Sequence, residues 1–177
     1  MSAERQLFGG AITVLLPTDL IDASDLRQIP DTQEVFLYPH SGVSIIVEVL
    51  KKTEPSDLKE AARFHFDALA HDNSAQSSTV IATNIVPNDR GDETPSAVVL
   101  AGKQNVSKFN TQTPDEIQIF LALYRIEQKN VDLVMTMNVP VRASDGGEVP
   151  REQAIAAEKT FETAAKSLKI LDFGLFA

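Results

Sequence analysis

Histidines and acidic residues are the side chains in this sequence that could catalyse a reaction or bind a metal ion. His71 lies four residues after Asp67. That spacing puts both side chains on one face of a helix, but two ligands are too few for a metal site. His65, on the same predicted helix, is expected to be a partly buried, hydrogen-bonded residue. No nucleophile-elbow pattern occurs, although a Ser-His-Asp arrangement of distant residues stays open from the sequence. We predict no catalytic residue and no metal site.

Glycine-containing segments that could bind a phosphate are the second kind of chemistry to consider. The pair Gly102-Lys103 lacks the upstream glycine and the following Ser or Thr of a P-loop. The pair Gly9-Gly10 leads into a strand and not into a helix, so it offers no helix N-terminus to an anion. We interpret it as a bulge or a tight start to the first strand. No cofactor is therefore predicted.

The stretch over residues 21–34 contains four acidic residues, one Arg and one Pro between two apolar segments. Asp22 with Ser24 could cap a helical turn, Asp31 could fix a tight turn, and Glu34 could be a solvent-facing strand residue. Taken alone, the residues favour this structural explanation over a binding role. The acidic residues concerned are Asp22, Asp25, Asp31 and Glu34, with Glu48 on a strand nearby in the sequence.

Hydrophobic periodicity and turn residues predict the elements that would position these side chains. Expected strands cover residues 11–16, 34–38, 43–50, 79–86, 97–106 (interrupted at Gly102-Lys103), 116–126 and 131–139. Expected helices cover residues 57–71 and 150–169, and a loop is expected over residues 108–115. Residues 39–42 and 128–130 are the expected turns of two hairpins.

Each predicted helix has an apolar stripe. The first begins with Asp57 and Glu60 spaced as a capping box. Its expected inner face consists of Leu58, Ala61, Ala62, His65 and Leu69. The second has Ala154, Ala157, Phe161, Ala164 and Leu168 on its inner face. The apolar tail over residues 170–177 is expected to pack against the rest of the fold.

Short connections indicate a mainly antiparallel sheet of six or seven strands, on whose faces both helices must pack. We expect an α+β fold in a single domain over residues 1–177.

Composition restricts the classes of partner. The formal net charge is −9 and the isoelectric point is about 4.8. Because an acidic surface repels phosphates, we expect no direct nucleic-acid binding and favour a partner with a basic patch. The chain has no Cys, no secretory signal pattern and no apolar run of the roughly 20 residues that span a membrane. A monomer in the nucleus and cytoplasm is expected.

Several segments of the sequence resemble the Mog family, the Ran guanine nucleotide release factors. The similar segments are LFGGAI from residue 7, IDAS from residue 21, LR at residues 26–27, PDTQEV from residue 30 and SIIVE from residue 44. DLKEA from residue 57, FHF from residue 64, NVP from residue 138 and the terminal LFA continue the match. The resemblance extends over essentially the whole chain and is most specific in the N-terminal third.

The resemblance implies an antiparallel sheet flanked by helices on both faces, an α/β/α sandwich shared with PsbP-like proteins. It also implies binding to the small GTPase Ran, release of its nucleotide and support of nuclear protein import, without catalysis by the protein itself. The implied Ran-binding residues are Asp22, Asp25, Asp31, Glu34 and Glu48, with Arg27 and Gln33 beside them. One departure is Lys51, which stands where relatives commonly have an acidic residue.

Two alternatives remain at this point. A PsbP-like scaffold with an unrelated protein partner would keep the fold but change the function. An unrecognised hydrolase would require a deep polar pocket that contains His40 or His65.

Overall fold

The computed structural model describes residues 1–107 and 113–177, so the loop predicted over residues 108–115 lies mostly outside the described residues. The elements in chain order are β1 Ser2–Leu7, β2 Ile12–Pro17, β3 Ile21–Asp22, β4 Gln33–Leu37, β5 Ser44–Lys51, α1 Leu58–Asp72, β6 Ala75–Val86, β7 Ala97–Val106, β8 Asp115–Ile126, β9 Val131–Arg142, α2 Arg151–Ser167 and β10 Lys169–Ile170. A seven-stranded sheet has the order β3-β4-β5-β9-β8-β7-β6, and a smaller sheet has the order β1-β2-β10. Within the described residues every strand pair is antiparallel, which agrees with the mainly antiparallel sheet that was predicted.

Strand β8 shows how the large sheet separates two layers of core. Ile119, Leu121 and Leu123 face one side and pack in a cluster with α1. Alternate residues of the same strand, such as Phe120 and Tyr124, face the other side and pack with α2 and β2. Side chains alternate between the two faces of a strand, so one continuous apolar segment serves both layers. The helices therefore cover opposite faces of the sheet, which confirms the predicted fold class.

Helix α1 begins where its capping residues predict, because the Asp57 carboxylate accepts a hydrogen bond from the Glu60 amide at 3.0 Å. Ala61, Ala62 and His65 are buried as predicted. Leu58 does not belong to the core as predicted: it is the first helical residue and 37% exposed. The burial of α1 starts one turn later and includes Phe66, which is 1% exposed and was not predicted. Leu69, at the end of the predicted face, is partly buried against the same cluster.

Strand β7 runs through Gly102 without the predicted interruption. A Cβ atom at this position would lie 2.7 Å from Cε1 of Phe66 and 2.7 Å from the carbonyl oxygen of Thr79. Both distances are too short for real atoms, so only glycine lets the strand pass between the Phe66 ring and its neighbour β6. Gly102 therefore has a packing role.

Helix α2 buries its predicted inner face, and Pro150 immediately precedes the first helical residue. Side chains from other parts of the fold donate hydrogen bonds to carbonyl groups at its C-terminal end. The guanidinium group of Arg90 donates hydrogen bonds to the carbonyl oxygens of Lys166 and Leu168. The hydroxyl of Tyr124 donates to the carbonyl oxygen of Ala165 at 2.6 Å. These bonds satisfy carbonyls that lack partners within the helix.

The start of the chain differs from the prediction. Gly9 and Gly10 form the turn of a hairpin between β1 and β2, with φ angles of +69° and +96°, and do not begin the first strand. Strand β1 was not predicted, because most of its side chains are polar and exposed. Strand β6 begins at Ala75, four residues early, for the same reason: it lies at the edge of the large sheet and most of its side chains face solvent.

The C-terminal tail docks as predicted, with Ile170 paired to β2 and Phe176 7% exposed, while Leu171 stays 54% exposed. Within the described ranges, neither helix has the combination of length and apolar composition that crossing a bilayer requires.

Candidate protein-binding site

Asp22 ends the two-residue strand β3 and holds a tight turn. Its Oδ1 accepts hydrogen bonds from the amide of Ser24 at 2.9 Å and from the Ser24 hydroxyl at 2.7 Å. Ala23 is fully buried, and its carbonyl oxygen accepts the amides of Leu26 and Arg27, both at 3.0 Å. Asp22 therefore has the capping function that its sequence context suggests.

Glu34 and Glu48 lie on opposite faces of the large sheet. Glu34 pairs with Val47, which faces the α2 side, and its Oε2 accepts the amide of Phe8 at 2.7 Å. Glu34 is thus partly buried and hydrogen-bonded, and not a solvent-facing residue. Glu48 pairs with Gln33 on the α1 side, where the Gln33 amide nitrogen donates to Glu48 Oε2 at 3.0 Å.

An acidic cleft opens at the sheet edge that β3 and β4 form. Its volume is about 280 Å³. Four of the seven residues predicted for the site line it, namely Asp22, Asp31, Gln33 and Glu34. Phe8, Ile29, Pro30 and Val35 supply apolar walls. The volume of the cleft is at the lower end of the range usual for ligand pockets.

The other three predicted residues lie outside the cleft. Asp25 and Arg27 are exposed beside the turn that Asp22 caps. Glu48 lies on β5, the second strand from β3 in the sheet. We refer to the seven residues together as the acidic edge, because they surround the β3–β4 edge of the sheet from both faces. Lys51 is exposed at the end of β5, three residues from Glu48, a spacing that directs the two side chains to opposite faces of a regular strand.

A buried polar network was missed by the sequence reasoning. Asp132, which is fully buried, accepts hydrogen bonds from Arg125 Nε at 2.8 Å and Nη2 at 3.0 Å. The amide and hydroxyl of Thr53 donate to the same carboxylate at 3.1 and 3.2 Å. Arg125 also donates to the carbonyl oxygen of Pro55 at 2.6 Å. The network therefore holds Thr53 and Pro55, which lie between β5 and α1, against the β8–β9 hairpin.

His65 belongs to this network, with its Nε2 2.8 Å from Asp132 Oδ2. Burial raises the pKa of Asp132, but hydrogen bonds from His65 and Arg125 outweigh burial and hold the pKa well below its ordinary value. The hydrogen bond to Asp132 raises the pKa of Arg125. His65 is 6% exposed and lies against the Asp132 carboxylate, so it is a core histidine. His40 is exposed on the β4–β5 loop.

Two features of the sequence could have indicated this network. Arg125 and Asp132 are directly opposite each other across the β8–β9 hairpin. Each stands at the end of an apolar run, over residues 119–124 before Arg125 and over residues 133–135 after Asp132. In the part of the chain that the structure describes, no three His, Cys, Asp or Glu residues are grouped so that they could hold a metal ion.

Comparison with known proteins identifies the family. A sequence model described as "Ran-interacting Mog1 protein" matches residues 5–140. The chain belongs to this family. The resemblance found in the N-terminal segments is thereby confirmed.

Relatives are similar over about three quarters or more of their length. The Ran guanine nucleotide release factor of Danio rerio is 35% identical, with 97% of this chain and 98% of the relative aligned. The Homo sapiens protein of the same name is 38% identical over 76% of this chain and 74% of its own. The crystal structure of the Saccharomyces cerevisiae Ran-binding protein Mog1p has a TM-score of 0.77 at 27% identity, and covers 100% of this chain and 99% of its own.

Proposed function

We propose that this chain binds the small GTPase Ran, promotes release of its guanine nucleotide and thereby supports nuclear protein import. The observation that carries the proposal is the similarity, over nearly the full length of both chains, to relatives named Ran guanine nucleotide release factor. A further relative, from Schizosaccharomyces pombe, is named as a nuclear import protein and is 32% identical over 97% of this chain.

The acidic edge is the surface that we propose for Ran. Its exposed carboxylates complement a basic surface, and the net charge of −9 attracts such a partner from a distance. We assign direct contacts to Asp25, Arg27, Asp31, Gln33 and Glu48. Asp22 and Glu34 maintain the cleft through their hydrogen bonds to Ser24 and Phe8, and present their remaining carboxylate surface to the partner.

Nucleotide release requires differential binding and no catalytic group on this chain. A protein that binds the GTPase more tightly when the nucleotide is absent must, by thermodynamic linkage, weaken nucleotide binding by the same factor. A rigid acidic edge can act in this way by holding basic side chains of the GTPase away from the nucleotide. We therefore propose a release factor that acts by binding alone.

A release assay with charge-reversal variants tests the proposal. Ran loaded with a fluorescent guanine nucleotide is mixed with the wild-type chain, with Glu48→Lys, with Asp31→Lys and with Glu162→Lys, a control on the exposed face of α2. The wild type and the control should form a complex and accelerate release. Glu48→Lys should abolish both effects, and Asp31→Lys should weaken them.

Two results would contradict different parts of the proposal. A folded Glu48→Lys protein that binds like the wild type would show that the surface is misplaced. Failure of the wild-type chain to bind Ran or release its nucleotide would refute the function itself.

We also propose that the chain forms one domain, acts as a monomer in both nucleus and cytoplasm, and binds neither nucleic acid nor membranes directly. The shared strands β7, β8 and β9, which contribute to both core clusters, support the single domain. Light scattering at the concentration of the release assay measures the mass in solution. Fluorescence microscopy of the tagged chain measures its distribution between the two compartments.

A further inference from the structure

Leu26 is an apolar side chain displayed on the acidic edge. It is 67% exposed, and among the large apolar side chains of the described residues only the terminal Met1 is more exposed. Single exposed apolar residues are common on proteins and need no explanation by themselves. Leu26 differs in its surroundings, because it lies between Asp25 and Arg27 and two residues after Ser24, which lines the acidic cleft.

The backbone that presents Leu26 is held in place before any partner arrives. The amide of Leu26 donates to the carbonyl oxygen of Ala23 at 3.0 Å, and Ala23 is fully buried. Asp22 fixes the start of the same turn through the amide and the hydroxyl of Ser24. Binding through Leu26 therefore orders only a side chain and no loop, so little of the binding free energy is lost to conformational entropy.

Charge and apolar contact contribute differently to a protein interface. Exposed charges increase the association rate and set its dependence on salt. Apolar anchors that become fully desolvated at the centre of an interface govern the dissociation rate. An edge composed of acidic residues alone would give fast encounters and short-lived complexes, so a lasting complex needs an apolar anchor close to the charges.

We propose that Leu26 is the apolar anchor of the acidic edge and inserts into an apolar pocket, rimmed by basic side chains, on the bound GTPase. This inference rests on the proposed function, and it adds a residue that carries no charge. Truncation to Ala removes most of the exposed apolar surface of this side chain, so it should increase the dissociation rate about tenfold.

Binding kinetics at several salt concentrations separate the contribution of Leu26 to binding from the contribution of the charged residues. The association and dissociation rates of Ran are measured for the wild type, Leu26→Ala, Glu48→Gln and Leu171→Ala. Leu171 is 54% exposed on the C-terminal tail, so Leu171→Ala makes the same substitution at a similarly exposed site away from the acidic edge. Thermal unfolding of each variant checks that the fold is intact, and Leu26→Ala should unfold at the same temperature as the wild type.

The expected result is a dissociation rate about tenfold higher for Leu26→Ala, with the association rate and its salt dependence unchanged. Glu48→Gln should instead slow association and flatten its salt dependence, and Leu171→Ala should match the wild type. A dissociation rate unaffected by Leu26→Ala, or raised equally by Leu171→Ala, would overturn the inference while leaving the proposed function intact. Absence of any complex with the wild type would overturn both.

Discussion

Replacing Asp132 by Asn should destabilise the fold strongly while changing the shape of the side chain very little. The carboxylate is fully buried and accepts hydrogen bonds from Arg125, His65 and both polar groups of Thr53. The Arg125 side chain is 1% exposed, so the substitution leaves a buried guanidinium group without its counter-charge.

The magnitude follows from the partners that Arg125 retains. Breaking a buried ion pair by removing one partner costs about 3–5 kcal/mol. Arg125 keeps hydrogen bonds to the carbonyl oxygens of Pro55 and Thr53, which compensate part of the loss. We therefore expect the lower end, about 3 kcal/mol, a large share of the 5–15 kcal/mol by which domains are typically stable.

Urea unfolding followed by circular dichroism measures this loss. A double variant, Arg125→Met with Asp132→Leu, provides the comparison, because replacing both partners of a buried ion pair by apolar residues is often close to neutral. The double variant should be more stable than Asp132→Asn alone. A loss below about 1 kcal/mol for Asp132→Asn, in the range of an exposed ion pair, would refute the argument that burial makes this network costly to break.

Two further predictions concern acid stability and β7. The free energy of unfolding should fall as the pH drops below about 4. The reason is that the pKa of Asp132 is lower in the folded than in the unfolded chain, so the unfolded chain binds the proton first. Urea unfolding measured at several pH values should show a weaker fall for Asp132→Asn. Gly102→Ala should cost about 1–3 kcal/mol, because its Cβ would overlap the Phe66 ring and the Thr79 carbonyl oxygen. Thermal unfolding measures the second effect, and a Gly102→Ala protein as stable as the wild type would contradict it.

The central part of the fold was predictable because its strands carry unambiguous patterns. Residues 119–123 alternate between two buried faces, and the hairpin turn after Ile126 is polar. Strand β1 and the first residues of β6 were missed because both are exposed edge segments, whose side chains show no apolar period. Their strand conformation comes from pairing with β2 and β7, which is a tertiary contact.

The candidate site was predictable in its residues but not in its arrangement. The capping role of Asp22 followed from local sequence, since Ser24 is only two residues away. The contact of Glu34 with Phe8 joins residues 26 positions apart. The separation of Glu34 and Glu48 onto opposite faces depends on the register between β4 and β5. Val35 and Phe36 are both apolar and buried on opposite faces, so the hydrophobic pattern of β4 does not show which face Glu34 takes.

The hydrogen bond between Phe8 and Glu34 ties the turn of the N-terminal hairpin to the second strand of the large sheet. Phe8 comes from the turn of the N-terminal hairpin, whereas the other residues of the cleft come from β3, β4 and the segment between them, so the cleft is assembled from two separate parts of the fold. Changes in the first seven residues, such as an altered start of the chain or a fused tag, would therefore be transmitted to a surface that those residues do not themselves form. The N-terminal hairpin can therefore change the shape of the cleft without a substitution in any of the seven residues of the acidic edge.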